Sequence, residues 1–287
     1  MNNLSVLCLA VAGLSACNGS NSKSSETANA SSRSNAAEKP NIVIILTDDQ
    51  GYGDMKCYGN SRLQTPNLDQ LAAEGIRFTN FYAGAAASTP SRAALLTGRY
   101  AERAGLQGVV DDLSVNGLES DEFTLADYLK QNNYATGIFG KWHLGCLPEH
   151  LPLRHGFNEF FGLPYSNDMW PFHPQPGHPY RALPLYDNER VVEYNPTVNH
   201  MTTRITERAT AFIDKHKNEP FLLYVPYTQP HVPLGVSDKF KGKSGEGLYA
   251  DVIMEIDWSV GEIMKTLKEN GLDDHTLVLF TSTNGPW

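Results

Sequence analysis

The fold turns on the stretch Asn41-Ile42-Val43-Ile44-Ile45-Leu46-Thr47-Asp48-Asp49-Gln50-Gly51-Tyr52-Gly53-Asp54. After Pro40 it opens as a continuous apolar run rich in β-branched residues, the pattern of a strand buried on both faces. Such a strand belongs to the middle of a parallel sheet with helices on either side. The run ends directly in two carboxylates and a glycine-rich turn. Open α/β sheets bind ligands at the carboxyl ends of their strands, so Asp48 and Asp49 stand where a ligand is met. As hard oxygen donors they suit Ca²⁺ or Mg²⁺.

Downstream, residues 65–75 combine a hydroxyl cap, Pro66 at the first helical position, apolar residues at helical spacing and a terminal Gly75, which predicts a short helix. Residues 76–82 alternate apolar and polar side chains and are expected to form a strand. They lead into Ser88-Thr89-Pro90-Ser91-Arg92-Ala93-Ala94-Leu95-Leu96-Thr97-Gly98-Arg99. Here a hydroxyl stands just ahead of a proline, good helix formers follow, and Gly98 stops the run, which puts Ser88 at a helix N-terminus. Backbone N–H groups, the helix dipole and Arg92 then all favour an anion beside Ser88.

A helix over residues 123–134 and a strand over 135–140 continue the alternation, and that strand delivers Gly140-Lys141-Trp142-His143-Leu144-Gly145. Lys141 and His143, two apart in extended chain, project to one side and can face one anion. Residues 170–186, crowded with Pro, His and Tyr, read as a long pocket-forming loop suited to a sugar or aryl group. An amphipathic helix over 200–217 precedes a strand over 221–225, which exits at Pro230-His231-Val232-Pro233. A helical stripe over 249–267 precedes a buried strand at 276–280 and then Thr281-Ser282-Thr283-Asn284-Gly285.

Taken together, these elements resemble the type I sulfatases of the alkaline phosphatase superfamily. The resemblance rests on Asp48-Asp49 with its glycine turn, the motif from Ser88 to Arg99, the Gly140 to Gly145 motif, the residues around His231 and the Asn284-Gly285 end, in family order. It implies an alkaline-phosphatase-like, mostly parallel α/β sheet flanked by helices, and a sulfuric ester hydrolase acting on a sulfated carbohydrate or aryl sulfate. It further implies that Ser88 is converted to formylglycine by a dedicated maturase and serves as nucleophile. Arg92 and Lys141 would neutralise the sulfuryl group, His143 would orient the nucleophile and His231 would assist the leaving alcohol. Asp48, Asp49 and Asn284 would hold calcium, or magnesium. Thr283 stands where the family has an aspartate, which lowers the carboxylate count and should weaken metal binding. The family also continues past Trp287, so residues 40–287 are expected to be an incomplete catalytic domain lacking a C-terminal subdomain. An inactive binder of sulfated glycans and a phosphatase or phosphodiesterase of the same superfamily are the alternatives.

The remaining sequence bounds the setting. A net charge of -9 over 287 residues, without a basic run, argues against a nucleic-acid partner. Residues 4–16 form an apolar stretch of signal-peptide length, ending Leu14-Ser15-Ala16-Cys17, which is similar to a bacterial lipobox. Residues 1–17 are therefore expected to be a lipoprotein signal with Cys17 as the lipidated residue, and residues 18–39 a flexible tether. The expected location is the periplasm, with a lipid anchor in the outer membrane of a Gram-negative bacterium. Spacing does not decide whether Cys57 and Cys146 pair.

Overall fold

The structure is a computed structural model that describes residues 39–174, 177 and 180–286. The expected signal peptide and most of the tether lie outside the described residues. Seven strands form one sheet in the order β5-β4-β3-β2-β6-β1-β7. Strand β1 (Asn41–Thr47) runs parallel to β6 (Phe221–Pro226) on one side and to β7 (Thr276–Ser282) on the other. Beyond β6, β2 (Ala135–Lys141) and β3 (Glu159–Leu163) continue the parallel ladder. Strands β4 (Pro184–Asp187) and β5 (Arg190–Tyr194) close that edge as an antiparallel hairpin.

The apolar run of β1 divides between two cores because successive side chains point to opposite faces. Val43 and Ile45 pack under α4 (Met201–His216) and α5 (Leu248–Glu269), with Ile205, Phe212, Ile256 and Ile263. Ile44 and Leu46 face α2 (Ser88–Thr97) and α3 (Leu125–Gln131), with Leu96, Leu129, Phe160 and Leu222. Helix α1 (Pro66–Glu74) packs beside α5, where the Asp257 carboxylate accepts the backbone N–H groups of Asn67 and Leu68 at its N-terminus. The mostly parallel sheet flanked by helices is the expected fold.

Some expectations fail, among them the burial of the strand at 276–280, whose Leu277 and Leu279 are exposed in β7 at the sheet's outer edge. Residues 76–82 form no strand: their alternation is present, but no ladder partner adjoins them, and Ile76, Phe78, Phe81 and Tyr82 are exposed. The segment 170–186 does not stay irregular throughout, because its end becomes β4. The turn to β5 is made by Asn188 in the left-handed region (φ 55°), a conformation asparagine tolerates, and its carboxamide oxygen accepts the Phe160 N–H. Cys57 and Cys146 are both free thiols.

Candidate active site

The parallel strands all point their carboxyl ends the same way, so the singled-out side chains that follow strands are delivered to one edge of the sheet. Asp48 and Asp49 follow β1, Lys141 ends β2, His143 lies just beyond it, His231 follows β6, and Asn284 follows β7. Close backbone approach makes this convergence possible. Gly140 (φ 141°) lies so near β6 that a Cβ there would meet the Pro226 carbonyl oxygen at 1.9 Å.

Ser88 opens α2, as expected, with Ala87 rather than Ser88 in the capping position. One turn on, Arg92 is fully buried and donates from Nε to Ser88 Oγ at 2.8 Å. Arg92 Nη1 donates to the Lys141 carbonyl, fixing the guanidinium across the strand end. Its Nη2 lies 3.3 Å from Asp48 Oδ1 as an ion pair and makes no hydrogen bond among the described residues. Lys141, also fully buried, seats its ammonium on Asp48 Oδ2 and donates to Ser166 Oγ at 2.9 Å. Burial alone would raise the Asp48 carboxyl, but Lys141, Arg92 and His231 outweigh it and hold the group well below the usual carboxylate range. Burial lowers the Lys141 ammonium, and Asp48 opposes that shift.

His143 is 2 % exposed, and burial together with the Lys141 and Arg92 charges pushes it well below its ordinary value. The ring is therefore neutral. Its Nε2 lies 3.0 Å from the Val110 carbonyl, which can only accept, so the proton is assigned to Nε2. Nδ1 is then a lone pair facing Ser88 Oγ at 3.3 Å. The Ser88 hydroxyl thus accepts from a guanidinium and can donate to a neutral imidazole, the arrangement of an activated nucleophile.

On the other side of Asp48, Thr283 Oγ1 donates to Oδ1 at 3.1 Å and accepts the Asp49 N–H at 3.3 Å. Asn284 Nδ2 donates to Asp49 Oδ1 at 2.6 Å, and His231 Nε2 lies 3.6 Å from Asp49 Oδ2. The structure therefore brings Asp48, Asp49 and Asn284 together. Their donors are all oxygen, as a hard cation requires, but the carboxylate oxygens are already engaged and the third acidic position is a hydroxyl. Among the described residues, no three His, Cys, Asp or Glu side chains converge as a metal-binding group.

Two participants escape a reading by motif. Ser166 lies in the run Leu153 to Asp168, which is similar to the family as a whole without assigning it a role; its bond to Lys141 gives it a place in the site. The Val110 carbonyl, which sets the His143 tautomer, is a backbone group and carries no sequence signal at all.

Comparison with known proteins fits this geometry. Residues 40–287 match the family described as Sulfatase. Arylsulfatase A from Bos taurus is 43% identical over 268 residues, covering 88% of this chain and 53% of the relative. The N-acetylgalactosamine-6-O-sulfatase from Bacteroides thetaiotaomicron is 36% identical over 304 residues, covering 87% of this chain and 60% of that protein. Among solved structures, Ps i-CgsB in complex with k-i-k-neocarrahexaose superposes with a TM-score of 0.75 at 34% identity, covering 87% of this chain and 59% of that one. The chain spans about half the length of the curated relatives it matches. With the family match running from the start of β1 through β7 and the same strand-end cluster built from it, this chain belongs to the sulfatase family.

Proposed function

We propose that this chain carries the sulfuryl-transfer centre of a sulfuric ester hydrolase acting on a sulfated glycan. The observation that carries the reading is the Ser88 hydroxyl, set at a helix N-terminus between Arg92 Nε and the Nδ1 lone pair of a neutral His143. Arg92 Nη2 is paired with Asp48 Oδ1 at 3.3 Å, so the guanidinium is held as a fixed positive charge beside the transferring group. Lys141 adds a second fixed charge, and Ser166 with Asp48 holds its ammonium in place. These residues meet charge that grows in the transition state with donors already oriented, so little reorganisation is needed. His143 takes up the proton of the attacking hydroxyl, and the tautomer fixed by Val110 leaves Nδ1 free to do so. His231, half-buried at the rim beside Asp49, is placed to protonate a leaving alkoxide.

An aldehyde at Ser88, formed when a maturase removes two hydrogens, would as its hydrate supply one hydroxyl to attack sulfur and another to expel sulfate by C–O cleavage. The residues that would hold a divalent cation are Asp48, Asp49 and Asn284, where it would add positive charge beside the sulfuryl oxygens. A glycan substrate is supported by the N-acetylgalactosamine-6-O-sulfatase relative and by the oligosaccharide complex of the Ps i-CgsB structure. Export with lipidation at Cys17 rests on the Leu14 to Cys17 sequence, and labelling with a radioactive fatty acid should be lost in Cys17→Ala.

The test is twofold. The tryptic peptide of residues 78–92, from protein matured in its native host, should weigh two hydrogens less than the sequence mass. Ser88→Ala should abolish sulfate release from a sulfated oligosaccharide, by the full factor the assay can read. Undiminished release from Ser88→Ala would end this reading.

A further inference from the structure

The flank of the centre that faces β7 departs from what a tight calcium site needs. Thr283 is 1 % exposed, and its backbone N–H is bound to the Thr47 carbonyl at 3.0 Å, so its side chain cannot turn away from β1. Its proton goes to Asp48 Oδ1 and one of its lone pairs to the Asp49 N–H, which leaves a neutral hydroxyl with little to offer a cation. Asp48 has no free oxygen. Lys141 sits on Oδ2, and Arg92 and Thr283 share Oδ1. The ammonium is held there from a second direction by Ser166.

Counting charge decides between the alternatives. Lys141 and Arg92 both pair with Asp48, so this carboxylate already faces two positive charges before any ion arrives. A divalent cation beside Asp48 would add two more positive charges in a buried site, whereas a third carboxylate at position 283 would offset part of that charge.

We infer that Lys141 takes the place of a divalent cation on Asp48, that Thr283 is the residue that permits this, and that the chain therefore binds calcium only weakly. The inference rests on the proposed sulfuryl-transfer reading for its meaning but not for its test. The nucleus of a site is nevertheless present. The Asn284 carboxamide oxygen, beside Asp49, is buried without a partner among the described residues and is available to a cation once the charge balance is changed.

The experiment is calorimetric titration of CaCl₂ into EDTA-treated, dialysed protein, together with thermal melting in EDTA and in calcium. The wild type should melt at the same temperature in both buffers. Thr283→Asp should bind calcium at least about tenfold more tightly and melt higher when calcium is present. Thr283→Ser, which keeps the hydroxyl, should behave as the wild type. Lys141→Met vacates Asp48 Oδ2 and should also bind calcium more tightly than the wild type, which keeps the inference testable if Thr283→Asp fails to fold. A wild type that binds calcium as tightly as Thr283→Asp, or that melts lower in EDTA, overturns the inference. So does a folded Lys141→Met with wild-type calcium affinity. None of these readouts depends on sulfate release, so loss of the catalytic reading through Ser88→Ala would be seen separately.

Discussion

The two flanks of β1 carry the same kind of backbone and differ in what surrounds them. Towards β6 and β2, Lys141 and His143 are buried, and every polar atom of theirs described above has a named partner. Towards β7, Asn284 keeps a buried oxygen without one among the described residues, and Leu277 and Leu279 are 50% and 41% exposed. A cavity of about 190 Å³ opens there between Leu46, Phe81, Leu95 and Thr281. Buried charges can be held in a fixed arrangement only where apolar cover excludes water and every partner is in place. The anion-handling flank has that apolar cover within the described residues, although Arg92 Nη2 is left there without a hydrogen bond; the cation-handling flank lacks the cover as well.

The largest effect should follow from breaking the covered flank. Lys141→Met removes the ammonium from a carboxylate that is itself fully buried, leaving Arg92 and Thr283 to satisfy Asp48. Removing one partner of a buried pair typically costs about 3–5 kcal/mol, and urea unfolding at pH 7 should show a loss in that range. A loss under about 1 kcal/mol would mean that water reaches Asp48 and that this flank is no better sealed than the other.

A titration sharpens the same contrast. His155 is fully buried, stacks on Trp142 with ring centroids 5.7 Å apart, and has no hydrogen-bond partner on either ring nitrogen among the described residues. Burial depresses it to about 4 from an ordinary 6.5, with Asp127 opposing and His150 assisting. Between those values the unfolded chain binds the proton and the folded one does not, so stability rises with pH across the window. The contribution is complete above pH 6.5 and is lost as pH falls towards 4, by about 3 kcal/mol. His155→Phe should flatten this part of the pH–stability curve; an unchanged slope would assign it to another group.

What the sequence discloses follows the same division. Strand ends are legible because a buried β-branched run stops abruptly at polar residues, as at Thr47-Asp48 and Gly140-Lys141. Lys141 and His143 are legible from a strand end and Ser88 and Arg92 from a helix N-terminus, and the structure brings the two pairs together. Ser166 was not singled out, because its position depends on β3, a short strand without a distinctive pattern. Residues 76–82 misled for the opposite reason: alternation describes a face to be covered but does not supply the neighbour that makes a strand.

The smallest effect belongs to the open flank, and it isolates cover from every other variable. In the sheet register Ile42 lies between Leu222 of β6 and Leu277 of β7, so these leucines are the same residue type on the same face at the same level. Leu222 is fully buried, whereas Leu277 is 50% exposed. Leu222→Ala deletes atoms from a closed core and should cost about 2–5 kcal/mol, the transfer of the lost methyls plus the cavity left behind. Leu277→Ala leaves no closed cavity and returns only part of a side chain's burial, so it should cost about 1 kcal/mol or less. Chemical denaturation of both variants gives the difference directly. Equal losses would show that something covers β7 in solution. In that case the exposed leucines are a buried contact, and the weaker polar order at Asn284 needs a cause other than missing cover.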